Sequence, residues 1–171
     1  MDLAGHCIDL VEMFFGPLSR VSCFLNHMIH SYATEDSAIT LLHFANGALG
    51  TVDTFFCIQD KCSKNALELY GSKGSILASG TIGQGSKGEM LAYLQSEDSS
   101  YQPQQERHSD GGLQIAPEPQ NIYRAEVEAF SQALLGGTPN PLNAQLGLRS
   151  QKAIAACYES ARTGCAVAIG N

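Results

Sequence analysis

The chain opens with the stretch Met1-Asp-Leu-Ala-Gly-His-Cys-Ile-Asp-Leu-Val-Glu-Met-Phe-Phe-Gly16. Asp2, His6 and Asp9 are spaced i, i+4 and i+7, which places them on one stripe of a helix. The opposite side of that helix is apolar and carries Leu3, Cys7, Leu10, Val11, Phe14 and Phe15. Gly16 followed by Pro17 is a helix stop. The stretch therefore predicts an amphipathic helix with one apolar side available for a core.

The polar stripe of this helix has two interpretations. A carboxylate one turn from an imidazole is an arrangement suited to general acid–base chemistry. A polar stripe on an amphipathic helix also commonly does nothing more than face water. The helix taken alone leaves both open.

Composition excludes several classes of function. The chain has 171 residues and a formal net charge of −7, and its few Lys and Arg residues form no run, which argues against nucleic acid as a partner. No apolar stretch is long enough to span a membrane, and acidic residues near the N-terminus argue against a signal peptide. The six cysteines contain no Cys-x-x-Cys pair and are expected to be reduced, buried thiols. We expect a single-domain cytoplasmic protein without a membrane partner.

Strands and helices follow the opening helix in a mixed order. Residues 20–29, 37–44 and 48–58 are predicted strands, and Asn46-Gly47 between the last two is a strong hairpin signal. Further along, the predicted elements are strands at 65–70, 75–78 and 89–95, a long polar loop at 96–119, a helix that Asn121 caps and Gly136 ends, a helix from Asn143 to Gly164, and a last short strand at 166–169.

The hairpin strands are apolar on both faces. Ile39 and Leu41 lie on one face of their strand, whereas Leu42 and Phe44 lie on the other. An antiparallel sheet with one face in water alternates apolar and polar residues instead. The pattern predicts an α+β fold with an open, mainly antiparallel sheet, helices packed on one face, and a second apolar face that a partner subunit or another domain covers.

Other candidate sites are weaker. The glycine-rich residues 80–88 precede a predicted strand rather than a helix, so a hairpin loop explains them better than a phosphate-binding loop. His27 and His30 would point to opposite faces of an extended strand, so no metal site is predicted. His43 is interpreted as a structural histidine and His108 as a solvated one.

Four motifs together resemble a known family. They are Asp2-x-x-x-His6-x-x-Asp9, Gly71-Ser-Lys-Gly74, Tyr123-x-x-Glu126-x-x-x-Phe130 and Tyr158-Glu-Ser-Ala161-x-x-Gly164-x-x-Val167. In order and spacing the chain resembles the C-terminal half of the glucose-fructose oxidoreductase and inositol dehydrogenase (Gfo/Idh/MocA) family. The likeness covers nearly the whole chain.

The resemblance implies roles for the residues of the first motif. In the inositol dehydrogenase branch, the Asp and His of this motif act with a lysine from the preceding domain on a sugar or polyol hydroxyl. Carried over, His6 is the catalytic acid/base that moves the hydroxyl proton while hydride passes to nicotinamide. Asp2 is the catalytic partner that orients or charge-stabilises the imidazole. Asp9 binds substrate or holds the helix.

The resemblance also implies what this chain lacks. Family members carry an N-terminal Rossmann domain that binds NAD or NADP, whereas residues 1–171 contain neither a glycine-rich βαβ unit nor the family's Glu-Lys-Pro segment. We therefore expect a single C-terminal domain for substrate binding and oligomerisation that binds no cofactor and is inactive alone. Its expected partners are a sugar or polyol and further copies of itself, as a dimer or tetramer. A non-catalytic binding or assembly module of the same fold is the alternative.

Overall fold

A computed structural model of the protein describes residues 1–59, 61–85, 87–95, 111–140 and 142–170. The helices are α1 (Asp2–Phe15), α2 (Ile122–Gly136) and α3 (Ala144–Thr163). The strands are β1 (Leu18–Asn26), β2 (Ser37–Phe44), β3 (Leu49–Phe55), β4 (Ala66–Gly71), β5 (Gly74–Ser79), β6 (Glu89–Leu94), β7 (Leu113–Ile115) and β8 (Val167–Ala168). The chain forms two compact units, one of Met1–Cys62 with Ala133–Asn171 and one of Ser63–Gln132.

The first unit is built on a four-stranded antiparallel sheet in the order β3-β2-β1-β8. Along β2, buried and exposed residues alternate from Ala38 to Phe44, as a strand with one covered face requires. Helices α1 and α3 supply the cover, because their apolar residues share one core with the sheet. This core consists of Ala4, Ile8, Leu18, Val21, Cys23, Leu42, Phe44, Val52, Ala153, Ala156 and Cys157.

The covered side of α1 is shifted from the expected one, although Cys7, Val11 and Phe15 pack against the core as predicted. Ala4, Ile8 and Glu12 are buried, whereas Leu3 and Phe14 are exposed. Small residues determine this orientation: a side chain at Gly5 would lie 3.3 Å from the Ile154 Cδ1 atom of α3. The helix thus presents its narrow Ala/Gly side to α3, and the larger Leu3 and Phe14 lie outside the contact.

The uncovered side of the first sheet carries large apolar residues, as the hairpin pattern predicted, together with the polar His43, Thr51 and Asp53. Phe24 is 69% exposed and Leu49 is 76% exposed, and Ile39, Leu41 and Phe55 complete an outward row across three strands. We call these five residues the outer sheet face. The α+β fold with open antiparallel sheets is thereby confirmed. Burial of this face between subunits stays a prediction.

The second unit contains a separate antiparallel sheet in the order β4-β5-β6-β7. The sequence had indicated one open sheet, and the structure divides the strands between two. The β4–β5 hairpin closes through Gly74, whose φ of 143° and position against Tyr93 exclude a side chain: a Cβ atom would lie 2.1 Å from the Tyr93 carbonyl oxygen. Strand β7 lies within the predicted polar loop. It was not predicted because three residues are too few to show the alternation of a strand. Residues 96–110, with His108, lie outside the described part.

The end of the first predicted strand is a loop instead. The Asp36 carboxylate accepts hydrogen bonds from the backbone N–H groups of Met28, Ile29 and His30, at 2.7 to 3.1 Å, and thereby bends residues 28–30 out of the sheet. His27 and His30 therefore do not lie on a strand, and His27 contacts the His30 carbonyl through Nε2. Across the described ranges, no cluster of three His, Cys, Asp or Glu side chains could hold a metal ion. No described helix is long and apolar enough to cross a membrane.

Candidate functional site

An open groove of about 590 Å³ lies between α1 and α3 in the first unit. Asp2, His6 and Asp9 all line it from α1. The structure therefore brings the three residues of the predicted stripe to one surface, which faces a groove rather than bulk water alone. The opposite wall includes Asn143, Ser150 and Tyr158.

Helix α3, which forms the opposite side of the groove, is capped at both ends. The Asn143 side chain accepts hydrogen bonds from the N–H groups of Gln145 and Leu146, as an N-cap residue does. Gly164, with a φ of 68°, ends the helix in the left-handed conformation. The predicted start at Asn143 and end at Gly164 are both confirmed.

The side chains of Asp2 and His6 are available to a ligand. Both residues are exposed, and neither side chain forms a hydrogen bond within the described residues. Their i, i+4 spacing on one helix keeps their Cβ atoms about 6 Å apart. A substrate hydroxyl in the groove would thus meet a carboxylate and an imidazole together.

Asp9 is held differently from its two neighbours. The Ser150 hydroxyl on α3 donates a hydrogen bond of 3.2 Å to the Asp9 carboxylate, and Ser150 is buried. This contact ties the middle of α1 to α3. Of the two roles expected for Asp9, fixing the helix has a direct structural correlate, and a role in substrate binding stays a prediction.

Glu12 lies one turn after Ile8 on the buried side of α1. The Glu12 carboxylate is buried, accepts the Leu18 backbone N–H at 2.9 Å and lies 3.3 Å from the Arg149 guanidinium. It therefore closes the turn after α1 and links that helix to α3. Sequence reasoning missed this residue, because a Glu is rarely buried and nothing local in the sequence signals its pairing with Arg149.

Tyr158 and Glu35 form a second feature at the edge of the groove that sequence reasoning missed. The Tyr158 hydroxyl donates to both carboxylate oxygens of Glu35, at 2.9 and 3.1 Å. Glu35 precedes β2 and is more than a hundred residues from Tyr158 along the chain. Burial is the main cause that raises the pKa of the Tyr158 phenol, so the phenol stays a donor at neutral pH.

The described residues do not contain the strand, glycine-rich turn and helix that commonly hold a dinucleotide. Such a site needs a glycine-rich turn between a strand and a helix within a parallel βαβ unit. All strand pairs described here are antiparallel, and the connection from β5 to β6 that carries the glycines leads into a strand. No residue of this chain is therefore assigned to NAD or NADP.

Comparison with known proteins identifies the family of this chain. A family model described as the C-terminal α/β domain of an oxidoreductase family matches residues 1–169. The chain belongs to this family, Gfo/Idh/MocA, and corresponds to its C-terminal domain. No curated protein matched the sequence.

Solved structures share the fold at low sequence identity. The WlbA dehydrogenase of Bordetella pertussis, in complex with NADH and UDP-GlcNAcA, has a TM-score of 0.68 at 20% identity, over 98% of this chain and 44% of that one. An Agrobacterium radiobacter oxidoreductase, in complex with NAD+, L-tartaric acid and magnesium, has a TM-score of 0.74 at 22% identity, over 99% and 48%. The Caulobacter crescentus aldose-aldose oxidoreductase, complexed with glycerol, has a TM-score of 0.75 at 19% identity, over 97% and 45%. This chain spans less than half of each.

Proposed function

We propose that this chain is the substrate-binding and oligomerisation half of an NAD(P)-dependent oxidoreductase that acts on a sugar or polyol hydroxyl. The observation that carries the proposal is the pair Asp2 and His6, which lie one helical turn apart, are exposed and both line an open groove. Membership of the oxidoreductase family and neighbours crystallised with a nicotinamide cofactor support the reaction class.

In this proposal His6 acts on the reacting hydroxyl. An imidazole changes its protonation state close to neutral pH, so it takes up or returns the hydroxyl proton within one cycle. Asp2, one turn away on the same helix, orients or charge-stabilises the imidazole while a substrate occupies the groove. Asp9, tied to Ser150, keeps α1 in register and offers its second oxygen to the substrate. The cofactor belongs to a part that these residues do not form.

The test compares two histidines in the longer protein that joins this chain to a dinucleotide-binding domain. His6→Ala should lower kcat by roughly 10²- to 10⁴-fold, the usual contribution of acid–base help. His43→Ala is the matched control, because His43 lies on the outward side of β2, with Ser19 as its partner, outside the groove. An unchanged kcat in His6→Ala would remove this residue from the mechanism. Oxidation of polyols by the 171-residue chain alone would contradict a substrate-binding half.

We also propose that a second copy of this chain covers the outer sheet face. Phe24, Ile39, Leu41, Leu49 and Phe55 are exposed apolar side chains on one face of one sheet, and grouped exposed apolar residues mark protein contacts. Leu41→Glu should place a charge at its centre and convert a dimer into a monomer in sedimentation at micromolar concentration. Ala155→Glu, which adds the same charge at an exposed position of α3, should leave the assembly intact. A wild-type protein that sediments as a monomer would refute this proposal.

A further inference from the structure

The side of the first sheet that carries the outer sheet face also carries one Arg and one Asp, at opposite corners. Arg20 of β1 lies beside His43 of β2, and Asp53 of β3 lies beside Ile39 of β2. Both charged residues are exposed, and within the described part of the chain neither belongs to an ion pair. Strands are about 4.8 Å apart and residues along them about 3.4 Å apart, so the two Cα atoms are separated by roughly 16 Å. That separation is too large for an ion pair within one molecule, which needs about 4 Å between charged atoms.

Three large apolar residues of the outer sheet face follow the other diagonal of the same side. Phe24 lies on β1 at the end of the sheet where Asp53 lies on β3. Leu49 lies on β3 at the end where Arg20 lies on β1. Leu41 lies between them, in the middle of β2. The apolar diagonal, from Phe24 through Leu41 to Leu49, therefore crosses the line between the two charges close to its centre.

Two-fold symmetry limits how a second copy can cover this side, because the same patch then meets itself. With the axis along the strands or straight across them, Arg20 would lie against Leu49 or Phe24 of the second copy. Asp53 would meet the other of these two apolar residues. Burying a charge in this way is costly, because nothing replaces the water it loses. With the axis along the line between the charges, Arg20 would meet Arg20 and be repelled. An axis close to the apolar diagonal places Arg20 of each copy near Asp53 of the other.

We propose that the second copy docks about a two-fold axis close to the apolar diagonal, so that Arg20 of each copy pairs with Asp53 of the other. Phe24, Leu41 and Leu49 then lie near the axis, each against its own counterpart, and the two ion pairs flank this apolar centre. The strands of the two sheets cross at roughly a right angle, which is one of the two usual ways in which sheets pack. The inference rests on the proposal that a second copy covers the outer sheet face, and it adds the orientation of that copy and the charges that select it.

The test is an exchange of charges, followed by sedimentation equilibrium of the 171-residue chain. Arg20→Asp brings two acidic groups together across the interface, and Asp53→Arg brings two basic groups together. Each variant alone should dimerise about a hundredfold more weakly than the wild type, because every dimer contains the altered contact twice. An equimolar mixture of the two variants should form a heterodimer, because both of its contacts join opposite charges. The double variant Arg20→Asp/Asp53→Arg should dimerise as the wild type does.

Arg124→Asp is the matched control, because Arg124 lies on α2 rather than on this sheet and its side chain is 76% exposed. It should leave the dimer unchanged, and circular dichroism confirms that each variant is folded. Single variants that dimerise as the wild type does would overturn the orientation and leave the second copy, which Leu41→Glu tests, in place. Monomeric single variants whose mixture also stays monomeric would overturn it as well, because the two charges would not face each other. A monomeric wild type would overturn the orientation together with the second copy, whereas His6→Ala decides the proposed reaction separately.

Discussion

Replacing Glu12 should reveal what holds the candidate site together. Its carboxylate makes two contacts, one with the Leu18 N–H at 2.9 Å and one with the Arg149 guanidinium at 3.3 Å. A buried hydrogen bond to a charged acceptor contributes about 1.5–3 kcal/mol. The ion pair contributes less, roughly 0.5–1 kcal/mol, because the Arg149 side chain is 39% exposed and water screens it. We expect Glu12→Ala to lower the free energy of unfolding by about 3 kcal/mol.

Two further variants separate these contributions. Glu12→Gln keeps an oxygen for the Leu18 N–H and loses the charge, so it should cost only about 1 kcal/mol. Arg149→Met removes the ion pair from the other side and should cost no more than about 1 kcal/mol. Urea denaturation followed by circular dichroism gives all three values, and the Glu12→Gln/Arg149→Met double variant gives the coupling between the two side chains.

The result that would refute this reasoning is specific. If Arg149→Met destabilised the protein as much as Glu12→Ala, the ion pair and not the backbone contact would be the main contribution of Glu12. If Glu12→Ala cost less than about half a kcal/mol, the turn after α1 would be held by its apolar neighbours alone. The first outcome would move the anchor of α1 from the Leu18 N–H to Arg149, and the second would remove Glu12 as an anchor for the helix that carries Asp2 and His6.

Three other predictions follow from single contacts. Burial opposes the charge of Asp36, yet the N–H groups of Ile29, His30 and Met28 and the Ser37 hydroxyl outweigh it and hold the pKa of this carboxyl below its ordinary value. The unfolded chain then takes up the proton first, so the stability that Asp36 supplies is complete above about pH 4 and falls as the pH drops further. The difference in unfolding free energy between wild type and Asp36→Asn should therefore shrink from pH 6 to pH 3, and a constant difference would contradict this. Gly74→Ala should destabilise the protein by roughly 2 kcal/mol or more, because its Cβ atom would meet the Tyr93 carbonyl at a positive φ. Gly71→Ala is the control, because the atom nearest to its Cβ would lie at 3.9 Å, and it should cost much less. Thermal unfolding measures both variants. Asn143→Ala should lower the free energy of unfolding by about 1 kcal/mol, because the α3 cap is lost. Asn143→Asp keeps a capping oxygen and should retain most of the wild-type stability. Equal losses of stability in the two variants would speak against a capping role.

Elements that depend on neighbouring residues could be predicted from the sequence. Asn46-Gly47 lies in the turn between β2 and β3, where Gly47 has a φ of 89°. Glycine adopts a positive φ readily, so this hairpin turn could be predicted from the two residues alone. The boundaries of α3 follow equally from Asn143 and Gly164. The pattern of β2 also predicted that Ile39 and Leu41 share one face and that Leu42 and Phe44 share the other, and the structure confirms it. Alternation between the two faces of a strand is a local property of the chain.

Features that depend on distant residues could not be predicted. Which side of α1 is buried depends on the shape of α3, more than a hundred residues away, and the apolar pattern alone placed Leu3 and Phe14 in the wrong environment. The strand predicted over residues 20–29 ends early, because nothing near residues 28–30 signals that the distant Asp36 carboxylate accepts hydrogen bonds from their N–H groups. The division of the strands into two sheets is also a tertiary property.

By itself, the sequence determined the helix that carries Asp2, His6 and Asp9, the hairpin strands and the family, because spacing along the chain encodes each of them. Only the tertiary structure decided that this stripe faces a groove, that Glu12 and Ser150 tie its helix to α3, and that Tyr32, Glu35 and Tyr158 line a cavity beside it. The physical reason is that a groove and its charge arise from side chains far apart in sequence, whose approach depends on packing rather than on any local period.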